Sequence, residues 1–163
     1  MPLPSCSSSA AWDDTHDYGT DSKVLLLSAA SYFEKAVCDV IIDTALEAGT
    51  RPPFANFIQR QALERKYHSM FDWKASNINS FFALFGPACK EELMKLSKRD
   101  GLDDAIRDFV YINSERNKLV HGNFAGFSLE ATFEEIWGKF SNAKRVVEWL
   151  PHQIKNLCST SEE

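Results

Sequence analysis

From about Lys23 almost to its end, the chain repeats apolar positions every three or four residues, and no stretch alternates with period two long enough to make a strand. The spacing predicts an all-α chain. Thr20, Asp21 and Ser22 offer N-caps for a long first helix, Lys23 to about Ala48, closed by Gly49 and the Pro52-Pro53 break. A second helix is expected from about Phe54 to Phe71, with Phe54, Phe57, Ile58, Tyr67, Met70 and Phe71 as its apolar set. A short third helix, INSFFALF, has Asn77 as its cap and stops at Gly86-Pro87. A fourth covers about Ala88 to Lys98, and a fifth starts after Asp103-Asp104 and reaches His121-Gly122. Thr132 with Glu135 forms a capping box for a sixth helix, whose stripe is Phe133, Ile136, Trp137, Phe140, Ala143, Val147 and Leu150, with a kink or restart at Pro151. These elements predict an up-and-down bundle of about five to six helices with mostly short connections.

Residues 1–20 are Ser-, Pro- and Asp-rich without periodicity. The expected organisation is a flexible acidic tail over 1–20, one helical domain over 21–158, and a short flexible tail over 159–163. The full length of 163 residues suits one domain with its own core, and 44% hydrophobic against 25% charged residues marks a globular chain. Twelve Phe and four Trp predict an aromatic-rich core.

Charge changes the picture only after it is mapped. A net charge of -5 argues against a nucleic-acid binder, but Asp13, Asp14, Asp17, Asp21, Glu162 and Glu163 lie at the two ends. Without those six, 17 acidic residues face all 18 Lys and Arg, so residues 23–158 carry about +1. Cys6, Cys38, Cys89 and Cys158 are far apart and lack ligand spacing, which points to free thiols in a reducing cytoplasm and to neither a disulfide framework nor a zinc site. The apolar run from Val24 is broken by Glu34, Lys35 and Asp39, too soon for a membrane span. A soluble cytoplasmic protein without metal or cofactor is the expectation.

Two polar intrusions stand out on otherwise apolar helix faces. On the fifth helix, Ile106, Phe109 and Val110 begin a stripe that then meets Asn113 and Asn117 before Val120, flanked by Arg116 and His121 about 140° apart. On the first helix, Glu34 lies on the line of Leu27, Ala30, Cys38 and Ile41, where an unpaired carboxylate is expensive. The Arg116, Asn117 and His121 cluster is its expected partner. Each residue alone also has a structural reading: Arg and His near a helix end often bond its terminal carbonyls, and an inward Asn can satisfy a neighbouring loop. Composition and spacing leave the two readings open.

The string Arg116-Asn117-Lys118-Leu119-Val120-His121 resembles the R-x4-6-H motif of the HEPN superfamily, set in the C-terminal part of a late helix in a small all-α bundle. SYFEKAVCDVI in the first helix and the segment FDWKASNINSFFALFG look most like the RiboL-PSP-type branch or a related one. The resemblance implies a metal-independent endoribonuclease acting as a homodimer, with the two motif helices facing each other across a shared cleft. His121 would handle proton transfers, Arg116 would brace charge on the phosphoryl oxygens, Asn117 would orient the phosphate or the imidazole, and Glu34 would position Arg116 or raise the basicity of His121. DNA, lacking the 2′-hydroxyl, should resist this chemistry.

Such domains commonly act in toxin–antitoxin or anti-phage defence, so an antitoxin or another defence protein is an implied partner. In HEPN toxins paired with a nucleotidyltransferase antitoxin, a Tyr stands two residues after the motif His; here Asn123 stands there, which puts control through that Tyr in doubt. Lys118, Lys144 and Arg145 are candidate RNA contacts, alongside the solvated-face reading that any exposed Lys or Arg has. Trp137 and Trp149 could stack bases but at helical spacing are expected in the core, and His68 beside Tyr67 could contribute to the cleft, although a surface or packed role is the expectation. Two competing readings stand beside the ribonuclease. One is a catalytically inactive HEPN-like module binding a nucleotide or a protein; the other is a helical dimerisation domain whose polar cluster fixes the interface register.

Overall fold

The computed structural model describes residues 18–122, 124 and 126–159. Among them there is no strand, and the chain forms the expected all-α bundle. Helix α1 spans Tyr18–Glu47 and so begins inside the stretch expected as a tail, with Thr20, Asp21 and the buried Ser22 within the helix instead of capping it. The rest of the expected tails, residues 1–17 and 160–163, lies outside the described residues. Gly49 ends the helical run at φ +89°, a left-handed value that a side chain would strain.

The second helical run differs most from expectation. Helix α2 (Pro52–Ile58) opens on the two prolines, whose missing N–H groups cost nothing in a first turn. A π-helical turn follows over Gln59–Leu63, in which the Glu64 N–H reaches back to the Gln59 carbonyl. Then come the single turn α3 (Glu64–Lys66) and a 3-10 turn, Tyr67–Ser69. The wide turn adds a residue to the repeat and resets which side faces in. Ala55, Leu63 and Tyr67 are buried, while Phe54 and Phe57, expected in the apolar set, are exposed and stack on each other with ring centroids 6.0 Å apart.

Helix α4 (Asn79–Ala83) is capped by Asn77, whose Oδ1 accepts the Asn79 N–H at 3.0 Å. Pro87, expected as part of a stop, opens helix α5 (Pro87–Arg99). Helix α6 (Asp103–His121) precedes α7 (Phe133–Ser159), which runs through Pro151 without ending. The capping box forms as read: the Thr132 N–H donates to Glu135 Oε2 at 2.8 Å, and the Glu135 N–H donates to Thr132 Oγ1 at 3.2 Å. Ile136, Ala143, Val146, Val147, Leu150 and Ile154 carry the buried stripe of α7. Phe133 and Trp137 do not belong to it. Trp137 is 54% exposed because it stands on the flank of that stripe, touching Phe140 at its edge.

Helices α1 and α7 run parallel, with Tyr32 against Phe140 and Glu47 bonded to Lys155. Helix α6 runs antiparallel to α7, with Asp108 beside Lys139 and Gly101 beside Arg145. Phe33 of α1 lies at their centre, 5.1 Å from the Phe109 ring and 5.4 Å from Phe140. Phe71 extends this aromatic core to Trp73 and Phe81 at 4.7 and 4.8 Å. Burying rings of this size supplies much of the hydrophobic driving force of a small bundle.

Candidate nucleic-acid interface at the end of the sixth helix

The first three turns of α6 are sealed. Ala105, Ile106, Phe109, Val110 and Ile112 are buried, and so is Asn113. Asn113 is a structural residue: its Nδ2 donates to the Phe109 carbonyl at 2.9 Å, and its Oδ1 accepts from the Tyr67 hydroxyl at 3.3 Å. That bond ties α6 to the 3-10 turn. Beyond it the cover stops. Leu119 takes the last core position, while Val120, expected on the stripe, is 51% exposed, because no described residue packs over that side of the final turn.

Arg116 stands on the line of Phe109, Ile112 and Leu119 and is half-buried, its Nη1 donating to Asn117 Oδ1 at 3.2 Å. His121 is exposed at the last helical position. Gly122 follows in extended conformation, not in the left-handed conformation common at helix ends. Its requirement is space: a Cβ there would meet the Lys118 carbonyl oxygen at 2.9 Å.

Glu34 faces this end from α1, but among the described residues it forms an ion pair with neither Arg116 nor His121. Its Oε2 lies 3.8 Å from His68 Nε2, and no ion pair joins it to Arg116 among the described residues. Sequence reasoning left His68 at the margin. The π turn and the following 3-10 turn rotate it away from where a continuous helix would put it, and Trp73 Nε1 clamps its carbonyl at 2.8 Å. Burial lowers the pKa of His68, Arg116 and His121 push it further down, and Glu34 opposes them. The Tyr67 hydroxyl is held well above its usual range by burial and by Glu34, with Arg116 acting the other way. The Cys38 thiol is pushed up to about 11, first by burial and then by Glu34. These shared influences mark one electrostatic neighbourhood: Glu34, His68, Arg116 and His121.

Over residues 10–156 the chain matches the model of the family RiboL-PSP-HEPN. It belongs to that family. No curated protein and no solved structure matches it.

In this HEPN domain the three basic residues singled out as RNA contacts are already engaged. Lys118 bonds Glu115 at 2.6 Å, Lys144 approaches Glu148 at 3.7 Å, and Arg145 donates to Asn142 and to the Gly101 carbonyl. Only Lys118 belongs to the motif end. Gly101 precedes α6, so Arg145 and its neighbour Lys144 lie at the opposite end of that helix, roughly 25–30 Å away at 1.5 Å per residue. Trp149 is half-buried and donates to Asp100 at 2.8 Å. Asn123, which stands where paired HEPN toxins carry a Tyr, lies outside the described residues. Among the described residues no group of three or more His, Cys, Asp and Glu is placed to hold a metal ion, and no helix is long and apolar enough to cross a membrane.

Proposed function

We propose that this HEPN domain is an endoribonuclease that works without a metal ion, as a homodimer whose two α6 ends share one cleft. The observation that carries this reading is the break in burial along α6: past Phe109 and Asn113 only Leu119 is still buried, Arg116 and Asn117 are half-open, and Val120 and His121 are exposed. A second copy covering Val120 would set two Arg116–His121 pairs face to face and remove water from both.

The chemistry follows from the side chains. RNA carries its own nucleophile, the 2′-hydroxyl beside the scissile phosphate, so the protein needs only to move protons and stabilise charge. Arg116, steadied by Asn117, offers a guanidinium fork to the phosphoryl oxygens. His121, exposed at the helix end, would protonate the departing 5′-oxygen. The site is local, which suits a helical body that is almost neutral.

Incubation of the purified protein with structured RNA in EDTA tests the proposal. Fragments ending in 2′,3′-cyclic phosphate, lost in Arg116→Ala or His121→Ala, are the expected result. Absence of cleavage on any RNA, together with no toxicity on expression, would overturn it. A toxin or anti-phage role, with an antitoxin or other defence protein as partner, is the biological setting in which such an activity fits; growth arrest on expression that depends on His121 is its measurable sign.

A second reading has one observation in its favour. Lys118 on α6 and Lys139 beside it are each paired with a carboxylate, Glu115 and Asp108, so among the described residues these two lysines form no free basic track to the α6 end. An inactive domain that binds a nucleotide or a protein would need none. It predicts that His121→Ala leaves biological activity unchanged while a nucleotide still raises the melting temperature.

A further inference from the structure

His68 is built into the fold more tightly than its chemistry is used. Its backbone carbonyl is held by Trp73, and its ring stands edge-on to Tyr67 with centroids 5.2 Å apart. Tyr67 is in turn fixed to Asn113 of α6. Neither ring nitrogen is spent on this anchoring. Nδ1 is buried with no hydrogen-bond partner, and Nε2 lies 3.8 Å from Glu34, beyond hydrogen-bond length. A purely structural histidine normally has its nitrogens bonded, because an unpartnered buried polar atom costs free energy. Here the surroundings fix the ring, bury Nδ1 and leave Nε2 without a hydrogen bond beside Glu34.

The groups facing it come from three elements: Glu34 from α1, Arg116 and His121 from α6, and the neutral Tyr67 from its own turn. We infer that His68 is a second acid–base group of the Arg116–His121 cleft, accepting the 2′-hydroxyl proton of RNA on Nε2, with Glu34 as the positioning residue beside it. This rests on the ribonuclease reading above.

The step balances. The 2′-O–H bond breaks and its proton goes to the Nε2 lone pair, while the 2′-oxygen bonds to phosphorus. The P–O5′ bond breaks as His121 delivers a proton to the 5′-oxygen, giving a 2′,3′-cyclic phosphate and a 5′-hydroxyl. His68 ends protonated and His121 neutral, and exchange with water restores both. The protonated Nε2 then faces the Glu34 carboxylate, so that contact strengthens as the reaction proceeds. Burial and the nearby Arg116 keep the imidazole neutral between turnovers, the state in which it accepts a proton.

Single-turnover cleavage of one RNA across pH, with the full chain, tests the inference. His68→Gln is expected to lose about 100-fold or more in rate and to lose the acid limb of the pH profile. Added imidazole should restore part of the rate of His68→Ala. Glu34→Gln should keep the limb but move it to lower pH, since Glu34 is the one neighbour raising the His68 pKa. That variant keeps the test open if His68→Ala fails to fold. The inference is overturned if His68→Gln cleaves within about threefold of the parent with its acid limb intact, or if the limb does not move in Glu34→Gln; the ribonuclease reading survives either result. No cleavage by the parent chain overturns both.

Discussion

Residues 105–113 and residues 116–121 share one helix axis and differ in what covers them. On the first stretch Ala105, Phe109, Ile112 and Asn113 are sealed under α1, α7 and the Tyr67 turn, and every polar atom named there is bonded. On the second, Arg116 and Asn117 are partly open, Val120 and His121 are exposed, and the only bond between their side chains joins Arg116 to Asn117. A helix can therefore place reactive groups at a rim because its other half is too well packed to move. Burial stabilises one half, and its absence leaves the other available for chemistry.

The strongest way to break this contrast is to truncate one residue in each half. Phe109→Ala removes a ring in contact with Phe33 and Phe71 and is expected to cost about 3–5 kcal/mol. Arg116→Ala removes a half-open guanidinium and is expected to cost under about 1 kcal/mol while abolishing RNA cleavage. Urea denaturation of both variants measures the difference. Equal costs would mean that Arg116 is part of the packed surface and that the two halves are one.

Gly122 is the next test, because it sets where the open half ends. A Cβ would sit 2.9 Å from the Lys118 carbonyl oxygen, which is backbone and cannot swing aside. Gly122→Ala should cost about 1–3 kcal/mol and displace His121. Gly138→Ala in α7 is the control: nothing lies within 4 Å of its Cβ position, so the substitution should stabilise the helix by about 0.5–1 kcal/mol. Thermal melts of the two variants should shift in opposite directions.

Tyr67→Phe probes the bond between the halves. It leaves Asn113 Oδ1 buried without its donor, at a cost of about 1 kcal/mol. In an Asn113→Leu background the same change should cost much less, since no acceptor remains to be left unpaired. A double-mutant cycle measures that coupling, and a coupling of zero would detach the His68 turn from α6.

Much of this architecture was legible in the chain because it depends on local bonding. The Thr132–Glu135 box, the Asn77 cap and the extent of α6 rest on contacts within a few residues. What escaped depends on the tertiary environment. Nothing in the string QRQAL marks a π turn; it forms where Leu63 and Tyr67 can both be buried. Phe54 and Phe57 before it face outward, and His68 after it stands beside Glu34. The carboxylate on the α1 line was readable as needing a partner, but its partner was not readable. The side chain of Trp137 was misread for a related reason: spacing gives a direction around α7, not the width of the cover above it.

The smallest expected effect separates the halves by their protons. In and against the sealed half, burial pushes the phenols of Tyr111 and Tyr67 above their usual value, away from neutral pH. The open half is flanked by His68, whose pKa lies below the 6.5 of an exposed histidine. As pH falls through 6.5, the unfolded chain takes up a proton on His68 before the folded chain does, so the folded state loses stability. The loss is complete once pH drops below the folded-state value, and above 6.5 the contribution is constant. His68→Gln should therefore flatten the decline of the urea midpoint between pH 7.5 and pH 5.5, while Phe109→Ala should lower the midpoint at both pH values and leave the slope alone. A slope unchanged in His68→Gln would show that the acid sensitivity arises elsewhere. A slope altered in Phe109→Ala would show that the packing of the sealed half governs how His68 is buried.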